Sequence, residues 1–216
     1  MFSKKMVVGL LMEKRYDELI GCSSGGRRIL SMLISLSYDK KDVISWRAME
    51  AIGLMTGAIF GTDPDIVRNT VRRLLWMIRD ESGGIGWSVP EILGEIVRNN
   101  HELSVDIAPV IASFHEEKML RAGVMWAIGR IGKVNAGTME YLAPVVISYL
   151  DAPDPALRGY AAWAAGELGA VGAVDRLEKI KNDADPVPFY EEGELNEKTV
   201  GEIATRALAK LKPETH

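Results

Sequence analysis

Three groupings of residues in this chain of 216 could do chemistry, and the first is metal-like. His101-Glu102 and His115-Glu116 combine residue types that ligate iron or zinc. Both pairs fall near the ends of predicted helices and read as solvated surface histidines, so no metal is expected. Cys22 is the single cysteine, which excludes a disulfide within the chain. No Cys or His stands near it at the short spacing that a zinc site needs. One cysteine and three histidines supply no Ser-His-Asp or Cys-His nucleophile. The expectation is a protein that is not an enzyme and carries no cofactor.

The second grouping sets arginine beside tryptophan. Over 64 to 80, Val67, Val71, Leu74, Leu75 and Ile78 share one helical face, while Arg68, Arg72, Trp76 and Arg79 lie elsewhere on the wheel. Trp76 stands nearly opposite the apolar centre. An exposed indole flanked by guanidinium groups binds a phosphate, a stacked base or an acidic protein surface. The alternatives are salt bridges to Glu91 or Glu95 and burial of Trp76 beneath the next loop. That loop, Asp80 to Trp87, carries Gly83, Gly84 and Gly86. It lacks a Gly-Lys-Ser/Thr ending and follows no strand, so it is no phosphate cradle. Ser88 as N-cap with Glu91 three positions on reads as a capping box, and Trp87 with Ile92 as a hydrophobic staple. The same glycine-rich turn is also a candidate recognition edge.

The third grouping emerges only from the elements that must position it. Arg121-Ala-Gly-Val-Met-Trp126-Ala-Ile-Gly129-Arg-Ile-Gly132 matches Arg158-Gly-Tyr-Ala-Ala-Trp163-Ala-Ala-Gly166-Glu-Leu-Gly169 at Arg, Trp and both Gly, offset by 37. With weaker copies, glycine marks fall at 53, 94, 129 and 166. Such spacing fits stacked helix pairs of about 40 residues each. Periodicity and breakers place first helices near 26 to 37, 64 to 80, 104 to 115, 138 to 150 and 172 to 181. Their partners run near 42 to 60, 88 to 99, 117 to 132, 154 to 169 and 197 to 211. Residues 1 to 25 form an N-terminal cap with a helix over 12 to 22, and no alternating run long enough for a sheet appears. Residues 182 to 198, rich in Pro and acids, read as a mobile acidic surface loop, with docking by Phe189 and Tyr190 as the alternative.

The run Asp154-Pro155-Ala156-Leu157-Arg158, followed by the Ala-rich segment to Gly166 and Gly169, resembles the HEAT repeat, including its phycobilisome-lyase-like variant. Asp63-Pro64-Asp65-Ile66-Val67-Arg68 resembles the same inter-helix turn, one helix out of phase with this pairing. The resemblance implies an all-α fold: a single right-handed α-solenoid of about five helix pairs whose second helices line a concave surface for protein recognition. HEAT-like di-iron hydroxylases repeat their His-Glu pairs at one fixed repeat position, a pattern this chain does not follow. Two further roles are implied by relatives of the fold, an alkylpurine DNA glycosylase-like grip on DNA and a bilin-lyase-like role.

Counted from the glycine marks, the groove positions are Glu50, Glu91, Trp126 and Trp163, then Glu95, Arg130 and Glu167. A wheel turns both tryptophans about 140 degrees from their apolar stripes. They either face a partner peptide or helix or fill the wedge between repeats. Arg121 and Arg158 are expected to pair with Glu117 and Asp154, four residues earlier. The net charge of -4 disfavours sequence-independent binding of nucleic acid. The apolar run from Met6 to Met12 is too short for a signal peptide, and every longer apolar stretch is interrupted by Gly, Arg or Glu. A cytoplasmic protein binding a protein partner, with no membrane span, is the expectation.

Overall fold

The structure is a computed structural model that describes residues 3–21, 26–79 and 85–211. Two compact units account for them: Met1–His101 with Tyr190–Leu195, and Glu102–Phe189 with Asn196–His216.

The first unit begins with α1 (Lys4–Met12) and α2 (Tyr16–Ile20) and continues through α3 (Gly26–Ile34), α4 (Val43–Phe60), α5 (Pro64–Arg79) and α6 (Val89–Asn99). Helix α1 falls mostly outside the expected cap helix. It forms because Ser3 caps it, accepting from the Met6 amide, and because Val7, Leu10 and Leu11 are buried. Lys14, at φ 55, breaks the chain between the two cap helices. Asp42 caps α4 through the Ile44 amide. Helix α3 packs on α4, α5 packs on both α4 and α6, and α4 and α6 lie side by side. Among the described residues α4 is the one helix long and apolar enough to cross a membrane. Its buried residues, from Trp46 to Ile59, occur on all sides and are covered by α3, α5 and α6, so within this unit it serves as the core helix.

The second unit holds α7 (Ser104–Ser113), α8 (Arg121–Ile131), α9 (Ala136–Ser148), α10 (Pro155–Leu168), α11 (Val174–Ile180) and α12 (Val200–Leu211). Helix α10 shows how locally the boundaries are written. Asp154 accepts from the Ala156 and Leu157 amides, Pro155 occupies the first turn, and Gly169 at φ 77 ends it. The repeated glycines are close-approach sites between successive second helices. A Cβ on Gly53 would stand 2.6 Å from the Glu95 carbonyl oxygen, one on Gly129 2.5 Å from the Trp163 ring, and one on Gly166 2.7 Å from the Ala207 Cα.

Three expectations are corrected here. Residues 182 to 198 are not a loop: strands β1 (Pro186–Glu191) and β2 (Glu194–Thr199) form a hairpin. Burial alternates along β1, with Val187 and Phe189 inside and Pro186 and Pro188 outside, the period of a half-buried strand. Glu192 and Gly193 both take positive φ, 54 and 79, as a two-residue hairpin turn requires. Both strands of such a ribbon are edges, where proline two residues apart is tolerated. Second, Arg121 and Arg158 do not pair with Glu117 and Asp154. Each donates to the carbonyls six and five residues earlier, Arg121 to His115 and Glu116, Arg158 to Ala152 and Pro153. Asp154 is committed to its capping bonds, and Arg158 reaches Asp183 at 2.9 Å and Asp185 at 2.7 Å instead. Third, Ser88 is the N-cap of α6 but makes no side-chain capping bond, because at ψ 3 it continues a preceding 3-10 turn rather than an extended segment. Glu91 pairs elsewhere.

Candidate protein-binding surfaces

In the first unit, one turn of α4 presents Trp46, Arg47 and Glu50 to the hairpin tip. The Arg47 guanidinium donates to the Gly193 carbonyl at 2.7 Å, to the Leu11 and Met12 carbonyls at 3.2 and 3.0 Å, and to both Glu194 carboxylate oxygens at 3.1 Å. Every position of its fork is used, which is how a buried guanidinium is tolerated. Glu50 Oε2 accepts from the Tyr16 hydroxyl at 3.0 Å and from the Tyr190 hydroxyl at 2.5 Å. The Tyr190 ring stacks on Trp46, centroids 5.6 Å apart and planes at 16°. Lys14 completes the clasp with an ion pair to Glu194 at 2.5 Å.

These contacts move the titrations. Burial pushes the Tyr16 and Tyr190 hydroxyls well above the ordinary phenol range, and the charge of Glu50 adds to it. The hydrogen bond from Lys14, with Arg47 behind it, holds the Glu194 carboxyl below the usual carboxylate range.

Helix α6 carries two further acidic groove positions, Glu91 and Glu95. Glu91 is buried, its Oε1 paired with Lys40 at 2.6 Å. Glu95 is buried as well, with Arg98 at 3.9 Å.

In the second unit, Trp126 is fully buried and its ring meets that of Trp163 at 6.0 Å. The Arg130 guanidinium lies 5.4 Å over the Trp126 ring. Trp163 is half-buried and donates to Glu167 at 2.8 Å, and Glu167 also takes Lys210. The open side of Trp163 is met edge-on by Phe189, centroids 5.1 Å apart. Val187 sits where a Cβ on Gly159 would reach it at 2.9 Å, and the Tyr160 hydroxyl donates to the Pro188 carbonyl at 2.5 Å. Of the expected groove residues, then, Glu50 and Trp163 contact the hairpin, while Glu91, Glu95 and Trp126 are covered. The hairpin as occupant was not anticipated; the signal was the alternation Val187-Phe189 followed by Glu192-Gly193.

The arginine-tryptophan patch lies on the exposed side of α5. Val67, Val71 and Leu74 are buried, whereas Arg68, Arg72 and Trp76 are exposed. Arg68 is 3.7 Å from Asp65, and Arg72 donates to Asn69. Trp87, in the 3-10 turn Ile85–Ser88, is also exposed. For Arg79 the side chain, and for the glycine-rich loop residues 80–84, lie outside what the structure describes. His101 is exposed, and His115 bonds the Tyr149 hydroxyl at 3.0 Å.

No protein-family model matches the chain. An uncharacterized protein of Archaeoglobus fulgidus is 26% identical over 170 residues, which is 76% of this chain and 87% of that one. A designed armadillo repeat protein is similar in structure at a TM-score of 0.56 and 16% identity, over 97% of this chain and 93% of its own. Another, solved in complex with the peptide (KR)4, gives 0.54 at 18% identity over 95% and 98%. At that level of identity the likeness concerns the fold: this chain has the HEAT/armadillo type of all-α repeat solenoid.

Proposed function

We propose that the chain is a non-enzymatic scaffold that holds a segment of a partner protein against the second helices of its pairs. The observation that supports this most is that the chain holds a segment of itself in that manner. In the first unit Glu50 and Trp46 grip Tyr190; in the second Trp163 and Tyr160 grip Phe189 and the backbone at Pro188. Aromatic stacking, a carboxylate aimed at a hydroxyl and a side-chain donor to a strand carbonyl are the means by which extended peptides are bound. A protein of the same fold solved with the peptide (KR)4 supports peptide binding as a use of such helices. The partner segment favoured is extended, with an aromatic residue that takes the place of Phe189 or Tyr190.

The test uses a labelled synthetic peptide of residues 186–195 and the full-length chain with Phe189→Ala and Tyr190→Ala, which removes the internal anchors. If the helical signal is retained, the peptide binds this variant at least about tenfold more tightly than the parent, since the parent already fills its own site. Adding Trp163→Ala abolishes the gain. Equal binding to parent and variant refutes the proposal.

A further inference from the structure

We infer that the exposed face of α5, with Trp87 beside it, is a second docking surface, and that its partner is an acidic protein segment carrying an apolar anchor. Helix α5 contains four arginines, Arg68, Arg72, Arg73 and Arg79, against the single acid Asp65, within a chain whose net charge is -4. Its buried stripe of Val67, Val71 and Leu74 already fixes the helix to its unit. The opposite stripe therefore has no structural task that demands aromatic or basic residues, yet Trp76 is 64% and Trp87 52% exposed.

Trp87 is seated next to the same helix. A Cβ on Gly86 would approach the Met77 carbonyl oxygen to 2.9 Å, so the turn runs directly against the α5 backbone just after Trp76. Arg68, Arg72 and Trp76 follow one another at one-turn steps, about 6 Å apart along the axis. Their partners among the described residues are weak. Arg68 reaches Asp65 only at 3.7 Å and lies 6.0 Å from the centre of the Phe60 ring, Arg72 bonds a neutral Asn69, and Arg73 bonds Ser31 at 3.3 Å. Guanidinium groups with at most one distant carboxylate among them, on the helix that carries the open Trp76 and against which the turn of Trp87 runs, are the composition of an interface hot spot.

Charge decides the sign of the guest and apolar area decides its class. Four arginines on an acidic protein displace too few counterions to hold nucleic acid at physiological salt. Two exposed tryptophans supply the desolvated anchors from which protein interfaces draw most of their affinity. A partner helix with carboxylates one turn apart matches the spacing of Arg68 and Arg72, and its apolar side chain covers Trp76.

The experiment measures fluorescence anisotropy of a labelled peptide of four Glu-Leu-Ala-Glu repeats, and of its counterpart with Lys for Glu, on the full-length chain. The acidic peptide binds, and the basic one binds at least about tenfold more weakly. The double variant Arg68→Glu, Arg72→Glu reverses that preference, and Trp76→Ala weakens the acidic peptide by about tenfold. Phe189→Ala with Tyr190→Ala leaves this binding unchanged, which separates it from the surface proposed above. The inference is overturned if the acidic peptide does not bind, if the charge-reversed variant keeps the parent's preference, or if a single-stranded twenty-nucleotide oligothymidylate competes it off α5 and binds more tightly.

Discussion

The Tyr190 hydroxyl donates to Glu50 Oε2 at 2.5 Å across 140 positions of sequence. The same oxygen accepts from Tyr16 at 3.0 Å, so one carboxylate satisfies two phenols, that of the buried Tyr190 and that of the half-buried Tyr16. A hydrogen bond to a charged acceptor contributes about 1.5–3 kcal/mol when the geometry is good. Tyr190→Phe is therefore expected to lower unfolding free energy by about 2 kcal/mol. Glu50→Ala costs more, because it strands both hydroxyls. Urea denaturation of the two variants against the parent checks the order; a Glu50→Ala no worse than Tyr190→Phe contradicts it.

Alkaline pH tests the same cluster from another side. Both phenols titrate above their ordinary range in the folded chain, first because burial disfavours the phenolate. The unfolded chain releases these protons near pH 10 while the folded chain keeps them, so it is the folded state that binds more protons above that pH. Their contribution is complete below about pH 10 and is lost as pH rises beyond it. The urea midpoint of the parent should hold level up to that point and then fall. In Tyr190→Phe the fall is shallower.

Gly129 gives a steric prediction. With only 2.5 Å available to an added Cβ against the Trp163 ring, Gly129→Ala forces the indole or the helix aside. Overpacking of this kind costs about 1–3 kcal/mol. Trp163→Leu is destabilising alone, but in combination with Gly129→Ala the losses should sum to less than their separate values, a favourable coupling of at least about 0.5 kcal/mol. Additive losses in thermal denaturation show that the two do not meet.

Arg158 gives a prediction about shape rather than charge. Its side chain, 12% exposed, ties the turn before α10 to Asp183 and Asp185 through four donors. Lysine keeps the charge but lacks the planar fork that serves carbonyls and carboxylates together. Arg158→Lys is expected to recover less than half of the stability that Arg158→Ala loses, by thermal denaturation of both variants. Full recovery by lysine means that charge alone suffices.

Most of the helices were legible in 3.6-residue periodicity, and α10 was written a second time in terminal signals, Asp154, Pro155 and Gly169, that act on neighbouring residues. The repeated glycines were legible for a similar reason: the offset of 37 marks equivalent contacts before any contact is known. What the sequence concealed was the use of long-range partners. Tyr190 finds Glu50, and Phe189 finds Trp163, through tertiary packing that overrides the local disfavour of Pro186, Pro188 and the acids around them. Ser88 and Glu91 have the composition of a capping box, yet the backbone at Ser88 turns its hydroxyl away from that task.

The hairpin tip makes the first unit discontinuous along the chain. Residues 190–195 belong with Met1–His101, and Glu102–Phe189 intervene. On the ribosome, α1 to α6 emerge long before Gly193, Glu194 and Tyr190, the part of the partner set of Arg47 and Glu50 that the hairpin supplies. A fragment cut after His101 keeps the Leu11 and Met12 carbonyls for Arg47 and the Tyr16 hydroxyl for Glu50 but lacks Gly193, Glu194 and Tyr190, so this N-terminal segment completes its polar contacts only once the hairpin tip, nearly ninety positions further along the chain, has been made.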